Sequence, residues 1–275
     1  MPRSFVLPSS AGILLVALGA LSGFAAAPAR AQVDANTLLY LSFNNTLNGA
    51  QGETPTSASN ISFVSGVSGQ AAFMNSSSAL TYAASGNISA TQGTLEFFVR
   101  PNWNGNDNQE HTFLSWGGGG GMLFSKDAAN NLRGIFNRYG ESNGPEVGVP
   151  GINASSWVAG QTYYLAYTWS NTTKEVQLYI NGSLASSTTY VNNLPAVSAS
   201  NFWVGSDLGA GFSPLNGSLD ELRISSTVRS TAEIQARYSS FISPATAPEP
   251  GTWPLLAMGL LPLAGMALKR RRVVR

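Results

Sequence analysis

From Gln32 to about Ala247 the apolar residues recur with a period of two, and little of this stretch shows the 3.6-residue period of a helix. Thr94-Leu95-Glu96-Phe97-Phe98-Val99-Arg100 puts Leu95, Phe97 and Val99 on one face and Glu96 and Arg100 on the other. Tyr163–Trp169 and Glu175–Ile180 are two more β-rich runs, joined by the polar connection Ser170-Asn171-Thr172-Thr173-Lys174. Asn181-Gly182 then supplies the positive φ angles of a tight hairpin turn, and Ser183-Leu184-Ala185 returns as the next strand. Shorter runs follow the same pattern at Leu38–Phe43, Ala71–Met74, Thr112–Trp116, Met122–Phe124, Leu132–Arg138, Phe202–Gly205 and Leu219–Ile224. Turn residues separate them at the spacing of a sandwich or jelly roll, so the pattern predicts an all-β domain. One helix is predicted near its end, where Ser230-Thr231-Ala232-Glu233 forms a capping box and Ile234 and Tyr238 share a face. No internal linker interrupts the pattern, so residues 32–243 read as one domain.

Composition narrows the chemistry. There is no cysteine and one histidine, which excludes a disulfide framework, a thiolate metal site and a cysteine nucleophile, and leaves His111 as the one imidazole for any relay. Charged residues are 11% of the chain, against about a quarter in ordinary soluble proteins. Seven of the fifteen basic residues lie outside residues 32–247, and within those bounds thirteen acidic residues face eight basic ones, a net charge of −5. A mildly acidic domain is not built to neutralise phosphates, so nucleic acid is not an expected partner.

The two ends differ from the middle. Residues 1–31 read as a signal peptide: Arg3 gives the positive start, Ala11–Ala27 is an uncharged apolar run predicted to be a signal helix, and Ala29-Arg30-Ala31 offers a small-x-small cleavage site. A retained membrane anchor is the alternative. At the other end, residues 244–250 form a linker that closes on Pro248-Glu249-Pro250. Residues 251–268 are an uncharged apolar span of about 27 Å as a helix, a predicted single transmembrane helix, and residues 269–275 are a basic cytoplasmic tail carrying Arg270, Arg271 and Arg272. Pro254 and Pro262 weaken a lone helix and suit a transient anchor. These three parts in order resemble the PEP-CTERM sorting signal of exported proteins of Gram-negative bacteria. The resemblance implies processing by an exosortase in the inner membrane, transient anchoring there, and delivery to the cell surface or extracellular matrix. An ordinary single-span anchor is the alternative reading of the tail.

The middle carries a second resemblance. Leu41-Ser42-Phe43-Asn44 with Leu47-Asn48-Gly49, the glycine-bracketed Val64–Phe73, Leu178-Tyr179-Ile180-Asn181-Gly182, and Asn216–Ile224 followed by Ser230–Ile234 are similar to the laminin-G-like, concanavalin A-like lectin/glucanase domains. The resemblance implies two stacked antiparallel sheets in a jelly-roll sandwich. It also implies a structural Ca²⁺ held by Asp220, with Asn44 and backbone carbonyls around Gly69 as co-ligands. Calcium takes six to eight hard oxygens, which such a set could begin to supply. An alternative role for Asp220 is to cap a turn or pair with Arg223.

Sugar sites on this fold combine aromatic faces with Asn and Asp side chains. Trp103, Asn106, Asp107 and Trp116 lie in one such stretch, with Tyr139 on a neighbouring segment, and these are the expected ligand-binding residues. Catalysis is not expected. Glucanases of this fold place paired carboxylates on one strand face, whereas here no aspartate sits two after a glutamate. Asp220 and Glu221 are adjacent, so a regular strand would point them to opposite faces. His111 beside Glu110 and Asp107 reads as a hydrogen-bonded residue at a strand edge. The resulting expectation is an exported, non-catalytic protein that binds polysaccharide or glycoconjugate. A structural surface or matrix component and a divergent glycoside hydrolase are the alternatives.

Overall fold

A computed structural model of the chain describes residues 33–117, 121–137, 146–194 and 196–243. The predicted signal peptide, linker, apolar span and basic tail lie outside the described residues, as does Tyr139. Among the described residues no helix is long and apolar enough to cross a membrane.

The first eight strands are β1 Thr37–Leu41, β2 Ser57–Ser59, β3 Ser62–Ser65, β4 Gln70–Met74, β5 Ala79–Ala83, β6 Gln92–Pro101, β7 His111–Trp116 and β8 Met122–Lys126. Then follow β9 Asn131–Phe136, β10 Val147–Gly148, β11 Ile152–Asn153, β12 Tyr163–Ser170, β13 Glu175–Ile180, β14 Ser183–Thr189, β15 Asn201–Val204 and β16 Gly217–Ser225. Helix α1, Thr231–Ile242, ends the described chain. One sheet has the order β14-β13-β12-β6-β16-β4-β3, with β1 also paired to β16. The other has the order β10-β9-β8-β7-β15-β5-β2, with β11 paired to β9. The pairings are antiparallel, and the connections β6 to β16 and β7 to β15 join strands far apart in sequence, as in a jelly-roll sandwich.

The period-two pattern does what it predicts. Leu95, Phe97 and Val99 of β6 enter the core between the sheets with Leu165, Tyr167, Leu219 and Ile224, against Phe113, Phe124 and Phe202 of the facing sheet. Asn181 and Gly182 take φ of 50° and 78°, and the β13–β14 hairpin closes on them. The capping box forms too: the Glu233 N–H donates to Ser230 Oγ at 3.3 Å, and the Ser230 N–H donates to Glu233 Oε2 at 2.8 Å. Helix α1 lies on the outer face of the first sheet, where Ile234 and Phe241 pack on Phe98, Tyr164 and Tyr179. That contact explains Phe98, an aromatic on the otherwise polar face of β6. Among the described residues every strand, the helix and both apolar clusters fall within the compact unit Arg30–Pro244, so this unit buries its own core.

Candidate functional site

The outer face of the first sheet gathers most of the buried charge of the domain, because β16 is not regular. Asp220 lies opposite Phe98 and Arg223 opposite Glu96, so Glu221 and Leu222 together span the place of Phe97. This is a β-bulge, with Glu221 at φ 55°. Leu219, Leu222 and Ile224 stay in the core, while Asp220, Glu221 and Arg223 all turn outward. The expectation that Asp220 and Glu221 point to opposite faces is therefore corrected: the extra residue turns both the same way.

Three carboxyl groups thus share one face. Glu96 accepts from Arg223 Nε at 2.9 Å and Nη2 at 2.6 Å, and from the Tyr164 hydroxyl at 2.5 Å. Glu221 accepts from the Tyr40 hydroxyl, and Arg237 of α1 donates to the Glu221 carbonyl at 3.0 Å. Both glutamates are fully buried beneath the helix. Burial, with the neighbouring Glu221 charge, raises the Tyr40 hydroxyl, and burial with Glu96 raises Tyr164, so both stay protonated donors. Neither glutamate can reach a substrate. Glu221 ties α1 to the sheet through Arg237, and Glu96 ties Arg223 to Tyr164 within the sheet.

Asp220 differs. Its Oδ2 accepts the N–H groups of Val67 at 2.7 Å and Ser68 at 3.3 Å, which hold the β3–β4 turn on the sheet. The turn closes on itself through Gly66 N–H to the Gly69 carbonyl at 3.0 Å, and Asn44 Oδ1 secures its far side by accepting Gln70 N–H at 2.7 Å. Asp220 Oδ1 is buried and has no partner among the described residues. Burial, and next the charge of Glu221, push the Asp220 carboxyl up to about 7 against the pull of the Ser68, Val67 and Glu221 N–H groups. Asp220 also lines a pocket of about 50 Å³. Phe98 and Val67 give it apolar walls, Ser218 and Arg100 polar ones, and exposed Ser65 and Thr162 mark its mouth. At roughly 10–15 Å³ per water, this admits a few heavy atoms, such as the hydroxyl-bearing edge of a small molecule.

The residues expected to hold calcium, Asp220, Asn44 and Gly69, do meet at one turn. Most of their oxygens already accept N–H groups of the turn. Asn44 Oδ1, Asp220 Oδ2 and the Gly69 carbonyl each face an N–H donor, and paired N–H groups make a cradle for negative charge. Among the described residues no three acidic or histidine side chains gather in a metal-binding group. A Cβ on Gly69 would come within 2.0 Å of Asn44 Oδ1, and one on Gly66 within 2.3 Å of Asp220 Oδ2, so the glycines let these oxygens close on the turn.

The expected ligand loop is placed differently. Trp103 is 5% exposed and Trp116 1%, and both belong to the core. Trp103 stacks on His111 at 4.3 Å between centroids and donates from Nε1 to the Leu215 carbonyl at 2.7 Å; Trp116 packs edge-on against Phe136. The expected aromatic platform is corrected, since neither ring face is open to a ligand. Asp107 instead binds buried Lys126 and accepts from or shares a proton with His111 Nε2 at 2.7 Å. Burial works against its ionisation, but the bonds from Lys126 and His111 prevail and hold its carboxyl low. His111 Nδ1 meets the Pro214 carbonyl at 2.9 Å, so the histidine ties strand to loop as expected. Asn106 is exposed beside this cluster.

Glu96, Arg100 and Ser218 were not singled out by the sequence pattern as members of a site. One signal for their convergence was present. The apolar residues Leu219, Leu222 and Ile224 are spaced by three and then by two, and the interval of three is where the bulge sits.

A sequence profile described as Laminin_G_3, concanavalin A-like lectin/glucanases superfamily, matches residues 74–235. No curated protein matches the chain in sequence. Solved structures do. The binding domain of Paraclostridial Mosquitocidal Protein 1 superposes with a TM-score of 0.62 at 16% identity, covering 76% of this chain and 53% of that one. The receptor binding domain of botulinum neurotoxin mosaic serotype C/D gives 0.61 at 15% identity, covering 74% and 50%. The binding domain of botulinum neurotoxin serotype G gives 0.58 at 18%, covering 74% and 50%. The chain spans about half the length of these structures, and at such identities the likeness is one of fold.

Proposed function

The chain belongs to the concanavalin A-like lectin/glucanases superfamily, and from that premise we propose that it is an exported, non-catalytic module that binds polysaccharide or glycoconjugate. The observation that carries this reading is the unpartnered, buried Asp220 Oδ1 in the wall of a pocket that also offers Arg100 and Ser218. A carboxyl that is half protonated near neutral pH can give or take a hydrogen bond, which matches a hydroxyl. Pockets with a few convergent polar groups and a carboxyl of perturbed acidity are the default binding sites of uncharacterised folds. Glycoside hydrolysis would need a second carboxyl group about 5–10 Å across a cleft, and the other two on this face are enclosed under α1. The solved structures of like fold include a receptor binding domain and a binding domain, which agrees with a binding role.

A glycan array probed with residues 32–247 tests the reading. Signal for a defined class of neutral glycan, weakened in Asp220→Asn, is the expected outcome. Silence across the array would favour a structural matrix protein instead.

The sorting route belongs to the same proposal. Pro248-Glu249-Pro250, the apolar span after it and Arg270, Arg271 and Arg272 support exosortase processing and a final place at the cell surface or in the matrix. Mass spectrometry of the mature protein from its host is the check, because a C-terminus still ending at Arg275 would rule processing out.

A further inference from the structure

Alternation along two neighbouring strands brings unlike side chains together on the outer face of the first sheet. Phe98 and Arg100 alternate on β6 and Ser218 and Asp220 on β16, and the register sets Ser218 opposite Arg100 and Asp220 opposite Phe98. All four line the pocket described above, where β4 contributes the small side chain of Ala71 and so leaves space open. The walls are in place before any ligand arrives, which limits the freedom lost on binding. Tyr164 and Phe241 brace the Phe98 ring at 4.8 Å and 5.2 Å between centroids, and the Val67 N–H is held by Asp220.

The polar groups of this pocket are only partly used. Arg100 Nε donates to the Gly160 carbonyl at 2.7 Å, while its Nη groups make no hydrogen bond among the described residues. Asp220 Oδ1 has no partner among them either, and no ion pair joins Arg100 to Asp220, its diagonal neighbour across the strands. One pocket therefore presents three separate things: the guanidinium of Arg100, the carboxyl of Asp220, and an apolar wall of Phe98, Val67 and Ala71.

Resting on the carbohydrate reading above, we propose that this pocket takes the acetamido group of a 2-acetamido-2-deoxyhexose. The group adds a nitrogen, a carbonyl and a methyl to the sugar ring, a size that suits a pocket of about 50 Å³. Its N–H donates to Asp220, its carbonyl accepts from Arg100 or Ser218, and its methyl lies against Phe98, Val67 and Ala71. A hydroxyl on the same ring carbon satisfies the polar groups and leaves the apolar wall uncovered. A free amine has neither carbonyl nor methyl and brings a positive charge toward Arg100. An O-acetyl ester lacks the N–H. Asp220 suits an amide in either protonation state, since the carboxylate accepts from the N–H and the acid donates to the carbonyl.

Saturation-transfer difference NMR on residues 32–247 tests this. The probes are the methyl glycosides of N-acetylglucosamine, N-acetylgalactosamine and N-acetylmannosamine, with those of glucose, galactose, mannose and glucosamine as controls. At least one acetamido sugar is expected to take its strongest saturation at the acetyl methyl and to bind about tenfold tighter than its parent hexose. Ala71→Leu fills the pocket and should abolish that signal. Arg100→Met, at an exposed position, should weaken binding about tenfold and leave the melting midpoint in place, so the test stands even if the leucine variant fails to fold. Equal binding of an acetamido sugar and its parent hexose, or a methyl signal that survives Arg100→Met undiminished, overturns the assignment and leaves the carbohydrate reading standing. Silence of every acetamido sugar while the glycan array reports binding overturns it as well. Silence in both experiments overturns the carbohydrate reading itself.

Discussion

Asp220 does two things at once: it pins a turn and carries a carboxyl whose ordinary acidity is suppressed. Burial and Glu221 push it up to about 7, above its unfolded value near 3.9. The neutral form is thus the one the fold prefers. Its contribution to stability is complete below the unfolded value, falls as pH rises through about 7, and changes little above that. The shifts of Asp34, Asp107 and Glu233 are downward, so their contributions are present at neutral pH and fade only in the acid range below about 4. Between pH 5 and 8 the Asp220 effect is therefore visible against them. The wild type should melt higher at pH 5 than at pH 8, by an order of about 5 °C for about 2 kcal/mol. Asp220→Asn keeps an oxygen acceptor for Val67 and Ser68 but cannot titrate, so the difference between the two melting profiles should carry this slope. Parallel profiles would refute the assignment. On the same turn, Gly69 has φ of 75° and faces Asn44 Oδ1 where a Cβ would go, so Gly69→Ala should cost about 1–3 kcal/mol in urea unfolding.

Among the elements, α1 is tied to the first sheet by apolar and ionic contacts together. Phe98 meets Phe241 and Tyr238, while Arg237 reaches the bulge at Glu221. Beneath the helix, Arg223 donates twice to Glu96. Arg223→Met would leave a buried carboxylate with the Tyr164 hydroxyl as its remaining donor, and removing one partner of a buried pair costs about 3–5 kcal/mol. A thermal melt should show a loss of about 10 °C. If the midpoint holds, the Arg223–Glu96 pair does not support the sheet in this way. Which parts of this were legible follows from what a local pattern can encode. The strands β6, β12 and β13, the Asn181-Gly182 hairpin and the α1 capping box rest on neighbours in sequence, and each was readable. The burial of Trp103 and Trp116 depends on which face of a distant strand meets them, and composition alone read them as a surface platform. The bulge lay between these cases. Its mark, the three-residue step from Leu219 to Leu222, is local, but a period-two reading passes over it and assigns Asp220 and Glu221 to opposite faces.

At the scale of the whole molecule, a domain without cysteine is held by two apolar clusters, one between the sheets and one under the helix. Asp220 and Asn44 fasten the β3–β4 turn through its N–H groups. Chelation should accordingly leave the melting midpoint unchanged, and pH makes the comparison sharper. A calcium ion on Asp220 would require the ionised carboxylate, so its stabilisation would grow as pH rises from 6 to 8. The carboxyl alone has the opposite sign over the same range, with stability falling toward pH 7 and then levelling. Melts at pH 6 and pH 8, each in EDTA and in excess calcium, therefore separate the two. Coincident midpoints in EDTA and calcium at both pH values are expected. A midpoint raised by calcium at pH 8 and not at pH 6 would mean that the turn opens its oxygens to the ion, and that the N–H groups now facing them give way when it binds.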